Sequence, residues 1–135
     1  MSTFHLNILT PFGSYLEQDV EFLEVRNEDS VLGILPRHTP IISTVKLGKM
    51  RIKINGRIFL YATTGGVLNV KKDGTVTLLL KTIERNDEID ILRAKESLER
   101  AQNRISTGDN VDIARAKAAI DRASNRLRIA EGKDE

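Results

Sequence analysis

Residues Ile89–Lys95 read IDILRAK, and 22 residues further along the chain Val111–Lys117 read VDIARAK. Extending the comparison to residues 89–105 against 111–127 gives nine identities in seventeen positions. Apolar residues in both copies recur in alternating steps of three and four, which places them on one face of an α-helix. The repeat therefore predicts two similar helices late in the chain.

Each predicted helix carries an apolar stripe, Ile91, Ala94, Leu98, Ala101 and Ile105 in the first and Ile113, Ala116, Ile120, Ala123, Leu127 and Ala130 in the second. Between them, Thr107–Asn110 offers a glycine to end one helix and Asp and Asn to cap the next; Asn86–Asp87 can cap the first helix in the same way. So short a loop forces an antiparallel αα-hairpin. Because its seam is rich in alanine, we expect the hairpin to bury little apolar area and to be marginally stable.

Before about residue 86 the apolar residues recur with period two, which is typical of β-strands. Met50–Ile54 alternates apolar and basic residues and leads into Asn55-Gly56, the strongest short signal for a β-hairpin. Val67–Val70 and Val76–Leu80 flank a second turn at Lys72–Gly74. This pattern predicts about eight to ten short strands, which form a β-sandwich or a flattened barrel.

The two patterns together predict an α+β chain, with an N-terminal antiparallel β-sandwich over residues 1–86 and a C-terminal antiparallel αα-hairpin over residues 87–135. The composition, 40% hydrophobic and 30% charged, is that of a soluble globular protein. The chain contains no cysteine, which excludes disulfides and thiolate metal sites. It lacks a secretory signal and any apolar stretch near the ~20 residues that span a bilayer. We therefore expect membrane contact only through a partner.

Seven arginines lie from residue 87 onward, although that part of the chain has a net charge of −1. Three in each predicted helix lie on one flank, about 100° from the apolar stripe. Because the stripes of an antiparallel pair face each other, both flanks lie on the same side of the hairpin. We call this the arginine face; its members are Arg93, Arg100, Arg104, Arg115, Arg122 and Arg126.

The position of the loop sets Arg93 opposite the stretch between Arg122 and Arg126, with Asp90 one turn before Arg93 on the same side. Guanidinium groups suit phosphate oxygens, and a carboxylate accepts hydrogen bonds from amino groups or ribose hydroxyls. Spacing alone leaves three interpretations open: a solvated face with ion pairs, which is commonest for such helices, a nucleotide pocket, or a surface for an acidic protein segment.

No catalytic site is predicted. The sequence has no GxxxxGK[ST] motif, so a P-loop is not indicated. His5 and His38 have no nucleophile or metal ligand at a recognisable spacing. The sequence therefore predicts neither a catalytic residue nor a metal site.

Three segments, in this order, resemble the epsilon subunit of bacterial F-type ATP synthases. Gly33–Pro40 (GILPRHTP) resembles the GILPxHxP segment of that family, and Thr64–Val67 (TGGV) resembles its (S/T)GG strand start. Ile89–Ala94 (IDILRA) resembles the I(L)DxxRA ATP-binding motif of Bacillus-like members. The resemblance implies a β-sandwich bound to the gamma subunit and the c-ring, and a hairpin with folded and extended states.

The extended hairpin, as the resemblance implies, runs along gamma into the alpha/beta catalytic head, meets an acidic segment of beta and opposes ATP hydrolysis. ATP bound to the folded hairpin favours the folded state. The adenine and ribose contacts implied are Glu84, Ile89, Asp90 and Ala94; the phosphate contacts are Arg93, Arg100, Arg122 and Arg126. ATP is then a regulatory ligand and not a substrate, Mg²⁺ can accompany its phosphates, and no catalytic cofactor is implied.

The implied protein is a non-catalytic rotor subunit of a proton-translocating ATP synthase, peripheral at the cytoplasmic face of the bacterial cell membrane. Two other functions stay open: a small nucleic-acid-binding β-barrel with a basic hairpin, and a rotor clamp that does not sense nucleotide. Against nucleic acid stand the six aromatic residues, which form no stacking pattern on the strands, and the net charge of only +2.

Overall fold

The computed structural model describes residues 2–107 and 113–130. The chain divides into two compact units, Met1–Arg85 and Asn86–Glu135. The first unit contains ten strands: β1 (Phe4–Thr10), β2 (Gly13–Val20), β3 (Phe22–Arg26), β4 (Val31–Ile34), β5 (Ile41–Val45), β6 (Gly48–Ile54), β7 (Arg57–Thr63), β8 (Gly66–Val70), β9 (Val76–Leu80) and β10 (Ile83–Arg85). The second contains a 3₁₀ turn (Asn86–Glu88) and two helices, α1 (Ile91–Thr107) and α2 (Ile113–Ala130).

The strands form two five-stranded sheets, so the predicted β-sandwich is confirmed. The first sheet has the order β2-β1-β9-β8-β5, and the second has the order β10-β7-β6-β3-β4. Neighbouring strands pair antiparallel except β1 and β9, which are parallel. A parallel pair needs a long crossover connection, and here the strands from β2 to β8 supply it.

The turn between β6 and β7 has the geometry that its sequence predicts. Asn55 has φ 49° and Gly56 has φ 79°, the two positive values that a tight two-residue hairpin turn requires. Strands β6 and β7 pair in register from Gly48 with Thr63 to Ile54 with Arg57. The second predicted hairpin joins β8 to β9, with Gly74 at φ 91°.

The core lies between the two sheets and is built from the period-two residues of each strand. Leu6 and Ile8 of β1, Leu78 of β9, and Met50 and Ile52 of β6 are all fully buried. Alternate side chains of both inner faces interdigitate in such sandwiches. The alternation read from the sequence is therefore the alternation between core and outer face.

Two glycines at the start of β8 lie very close to neighbouring backbone atoms. A Cβ on Gly65, which has φ 112°, would lie 2.6 Å from the Val45 carbonyl oxygen. A Cβ on Gly66 would overlap the Leu79 carbonyl oxygen of the neighbouring strand β9. Gly66 has no positive φ, so space alone demands a glycine there.

We expect Gly66→Ala to destabilise the sandwich by about 3 kcal/mol or more, because backbone atoms of β9 must move to admit the methyl group. Gly74→Ala is the control: unlike Gly66, Gly74 sits at a positive φ, and it has no atom within 4 Å of a new Cβ. It should cost only about 1–2 kcal/mol of backbone strain. Urea denaturation of both variants measures the difference, and equal losses would contradict the close-approach explanation.

His5 on β1 is flanked by two carboxylates of the edge strand β2. Its Nδ1 lies 3.1 Å from Asp19 Oδ1, and its Nε2 lies 3.3 Å from Glu17 Oε1. The hydrogen bond to Asp19, followed by that to Glu17, raises the pKa of His5 above its ordinary value of 6.5. The protonated imidazole therefore helps to hold the edge strand.

We expect the sandwich to lose the stabilisation that these ion pairs of His5 give it as the pH rises. Because the folded-state pKa lies above 6.5, the contribution is fully present below pH 6.5 and is lost as pH rises through the folded-state pKa. Urea denaturation of the protein and of His5→Gln across this window measures it. The stability difference between the two should shrink with rising pH; a constant difference would show that the charge on His5 does not stabilise the fold.

The second unit is a two-helix hairpin, as the repeat predicts, and its alanine seam is confirmed. Ala94 and Ala101 of α1, and Ala116, Ala123 and Leu127 of α2, are buried. Ile91, which the predicted stripe includes, is instead 39% exposed. It is the first residue of α1 and lies about 60° from the centre of the stripe, so the seam begins one turn later.

The predicted cap of α1 at Asn86–Asp87 is wrong. Asn86 to Glu88 form the 3₁₀ turn instead, and Asp90 caps the helix. Its Oδ1 accepts the backbone N–H of Arg93 at 3.1 Å. The predicted end of the first helix at Gly108 and the caps at Asp109 and Asn110 lie outside the described residues. Neither helix has the length and apolarity needed to cross a membrane.

Candidate ligand-binding face of the helical hairpin

The buried seam fixes where the arginine face lies on each helix. With Ala94 and Ala101 turned inward, Arg93 and Arg100 lie about 100° around α1 from the seam. Arg93, Arg100 and Arg122 are exposed, and Arg126 is half-buried. Helical geometry therefore puts each of these four arginines on the flank of its own helix, beside the seam.

The start of α1 and the last turns of α2 lie at the same end of the hairpin. Helix α1 ends at Thr107 and α2 begins at Ile113, so the first turn of one helix is level with the last turns of the other. The 3₁₀ turn that precedes α1 packs against α2. Counted from these two helix ends, Arg93 is at the height of Arg126, and Arg100, two turns nearer the loop, is at the height of Arg122; Asp90 is level with the end of α2.

Asp90 caps the N-terminus of α1, whether or not it also binds a ligand. As the cap of α1, it satisfies one of the backbone N–H groups that a helix start leaves without an intrahelical acceptor. A carboxylate offers about four acceptor positions on its two oxygens, and the described cap bond uses one of them. The exposed carboxylate can therefore hold the helix start and still accept a hydrogen bond from a ligand.

Two of the residues implied as base contacts are buried. Ile89 is 7% exposed, and Ala94 is fully buried in the seam. Their side chains therefore pack inside the protein and are not presented on its surface. The residue type alone could not show this, because both residues would suit either an apolar ligand contact or a packed interior.

Two predicted site residues have surroundings that the sequence did not indicate, Glu84 and Arg100. Glu84 is half-buried on β10, opposite Ala62 of β7, and belongs to the first unit; the remaining seven belong to the second. The Nη2 of Arg100 donates to Ser97 Oγ at 3.2 Å within α1. That bond ties the Arg100 side chain along its own helix.

Sequence reasoning missed a second buried stripe on α2. Asn125 is 3% exposed and Ile129 is 2% exposed, although they lie about 180° around the helix from the seam. The counterpart of Asn125 in the first copy of the repeat, Asn103, is exposed. The only sequence signal is an isoleucine one turn after an asparagine on an otherwise polar side.

The part of the chain that the structure describes contains no group of three or more His, Cys, Asp or Glu that could hold a metal ion. The ten strands and the two helices together define a class of small two-unit protein: a β-sandwich followed by a two-helix hairpin with arginines along one flank of each helix.

Comparison with known proteins identifies the family. A family model described as the beta-sandwich domain of the ATP synthase Delta/Epsilon chain matches residues 3–86, and one described as the long alpha-helix domain of that chain matches residues 87–131. The chain therefore belongs to the ATP synthase delta/epsilon chain family.

Several relatives resemble the chain over most of its length. It is 38% identical over 105 residues to the ATP synthase epsilon chain of Halalkalibacterium halodurans, covering 78% of each chain. It is 40% identical over 105 residues to that of Bacillus licheniformis, covering 78% of this chain and 79% of the relative.

A solved structure shares the fold. A chain of the mitochondrial ATP synthase of Euglena gracilis, from its OSCP/F1/c-ring assembly, superposes with a TM-score of 0.81 at 18% identity, over 93% of this chain and 79% of that one.

We expect Asp90→Ala to destabilise the hairpin by about 1 kcal/mol, because the first turn of α1 loses its cap. Asp90→Asn keeps a capping oxygen and should stay within about 0.5 kcal/mol of the unchanged protein. Hydrogen exchange of the α1 amides, followed together with helical circular dichroism, measures both variants. Equal protection in Asp90→Ala and the unchanged protein would show that the cap is dispensable.

Proposed function

We propose that this chain is the epsilon-type subunit of the central stalk of a proton-translocating F-type ATP synthase. Membership of the delta/epsilon family over residues 3–131 supports this assignment, as do the bacterial epsilon chains to which it is similar. In this role the subunit performs no catalysis; it links the rotating parts of the complex. It would be peripheral at the cytoplasmic face of the bacterial cell membrane.

The β-sandwich is the unit that docks on the gamma subunit and the c-ring in this proposal. Apolar side chains on the outer face of the first sheet support a docking role: Ile42 is 76% exposed, Leu79 is 51% exposed and Val67 is 39% exposed. Val67 and Leu79 are direct cross-strand partners on β8 and β9. Exposed apolar groups gathered on one sheet face are typical of protein–protein interfaces.

The hairpin binds ATP as a regulatory ligand in this proposal. The observation that carries it is the pairing in height of Arg93 on α1 with Arg126 on α2, and of Arg100 with Arg122, with Asp90 one turn beyond Arg93. The arginines would bind the phosphates, with Mg²⁺ as an optional companion, and Asp90 would accept a hydrogen bond from the ribose or the base. Glu84, Ile89 and Ala94 would complete the base side, and Arg100 would extend the phosphate side.

The regulatory step is a shift between two states of the hairpin. In the extended state the arginine face would meet an acidic segment of the beta subunit in the catalytic head and oppose ATP hydrolysis. ATP stabilises the folded state only by the difference in its affinity for the two states. At a free concentration of a hundred times its Kd, a ligand that binds only one state stabilises that state by about 2.7 kcal/mol. That is enough to bias a hairpin whose seam is mostly alanine.

We expect the isolated protein to bind ATP and Arg93→Ala to bind it about tenfold or more weakly, the loss of a hydrogen bond to a charged group. Calorimetric titration measures the affinity, and hydrogen exchange of the α1 and α2 amides reports compaction of the hairpin. Arg128→Ala is the matched control, because Arg128 is exposed and lies about 140° around α2 from the arginine face. It should bind ATP as the unchanged protein does.

The outcomes separate the competing functions. Absence of ATP binding by the intact protein would remove the sensor role and leave a rotor clamp that does not sense nucleotide. Equal weakening by Arg93→Ala and Arg128→Ala would indicate only general charge attraction. RNA binding tighter than ATP binding and steeply dependent on salt would favour the nucleic-acid module instead.

A further inference from the structure

A cleft of about 700 Å³ lies at one end of the β-sandwich. Three segments line it: the residues that lead into β1, the loop between β4 and β5, and the turn between β8 and β9. The charged and titratable side chains on its walls are His5, Arg37, His38, Lys72 and Asp73. The cleft therefore has more basic than acidic groups.

Arg37 adopts a backbone conformation that costs conformational energy. Its φ is 66°, in the left-handed region that an arginine rarely occupies and a glycine occupies freely. A strained residue of this kind suggests a functional side chain, because a glycine would fold more easily at the same position. The loop keeps the guanidinium at the cleft at the expense of stability.

The two acidic features near the cleft are already engaged within the sandwich. Asp73 Oδ1 accepts the backbone N–H of Thr75 at 3.0 Å and its hydroxyl at 2.7 Å, so this carboxylate stabilises its own turn. Glu17 and Asp19 contact the two ring nitrogens of His5, so the charge of a protonated His5 is offset by these carboxylates. Arg37 and Lys72, both exposed, remain as the cations that face the cleft.

His38 adds an oriented polar atom. Its Nδ1 lies 2.6 Å from the Thr39 carbonyl oxygen, which can only accept, so Nδ1 carries the proton. That bond fixes the ring and leaves Nε2 to meet a ligand. The loop is bounded by Pro36 and Pro40, whose fixed φ values limit its freedom.

We propose that this cleft binds a phosphate-class anion, held by Arg37 and Lys72 and oriented by His38. A guanidinium fork pairs with two phosphate oxygens, and a lysine ammonium supplies a further donor at a single point. A protonated phosphate oxygen can donate to His38 Nε2. The proposal concerns the sandwich alone and does not depend on ATP binding by the hairpin.

The test is an NMR titration of the full chain with inorganic phosphate, at an ionic strength held constant with chloride. We expect saturable shifts at the amides of Arg37, His38 and residues 72–75. Arg37→Gly should weaken binding by about tenfold or more, as for the loss of a hydrogen bond to a charged group. Because it also relieves the positive φ, its thermal unfolding should equal or exceed that of the unchanged protein, which excludes unfolding as the cause.

Lys72→Ala should weaken phosphate binding in the same assay. Lys46→Ala is the matched control, because this exposed lysine follows β5 at the opposite end of that strand from Pro40. It should leave the affinity within about twofold, since one distant surface charge contributes little. Phosphate shifts confined to the amides of α1 and α2, or unchanged binding by Arg37→Gly, would overturn the proposal.

A second measurement identifies the source of the phosphate group. Sedimentation with vesicles of phosphatidylcholine alone, and with added phosphatidylglycerol, compares a zwitterionic with an anionic lipid surface. Binding only to the anionic vesicles, lost in Arg37→Gly, assigns the cleft to a lipid headgroup. Phosphate binding without vesicle binding assigns it to a soluble phosphate compound.

Discussion

The contact between α1 and α2 through small side chains is the constraint on which the regulatory half of the molecule depends. Ala94, Ala101, Ala116 and Ala123 are buried there, with Leu127 the one large side chain among the buried seam residues of the described helices. An alanine buries about three carbons fewer than a leucine, which is roughly 2 kcal/mol less apolar stabilisation at each position. The helices therefore pair in a defined register but with little stabilisation. The same register places the arginine face.

The β-sandwich follows a different energetic principle. Its core residues, such as Leu6, Met50 and Leu78, are fully buried between two sheets, and Gly66 admits no side chain at all against β9. A unit packed in this way tolerates local costs, such as the positive φ of Arg37 on its surface. Stable docking suits the first unit, and a conformational equilibrium that a ligand can bias suits the second.

Much of the secondary structure could be predicted because the sequence patterns that determine it are local. Asn55-Gly56 determines its hairpin by the backbone conformations that these two residues accept, and the steps of three and four define a helix whatever surrounds it. The predictions that failed depend on competition between neighbours. Both Asn86–Asp87 and Asp90 are good caps, and the chain uses Asp90 because the preceding residues tighten into a 3₁₀ turn. The parallel pairing of β1 with β9 joins strands too far apart in sequence for any local pattern to indicate it.

In the candidate site, too, local placement could be predicted and burial could not. From the sequence alone, helical spacing predicts which arginines share a flank, and the change of apolar period predicts the two-unit organisation of sandwich and hairpin. Only the tertiary structure decided that Ile89 and Ala94 are buried, that Asp90 also caps a helix, and that Asn125 is buried while its repeat counterpart Asn103 is exposed. The reason is physical: periodicity describes how a residue is placed on its own helix or strand, whereas burial depends on what packs against that position from elsewhere in the chain.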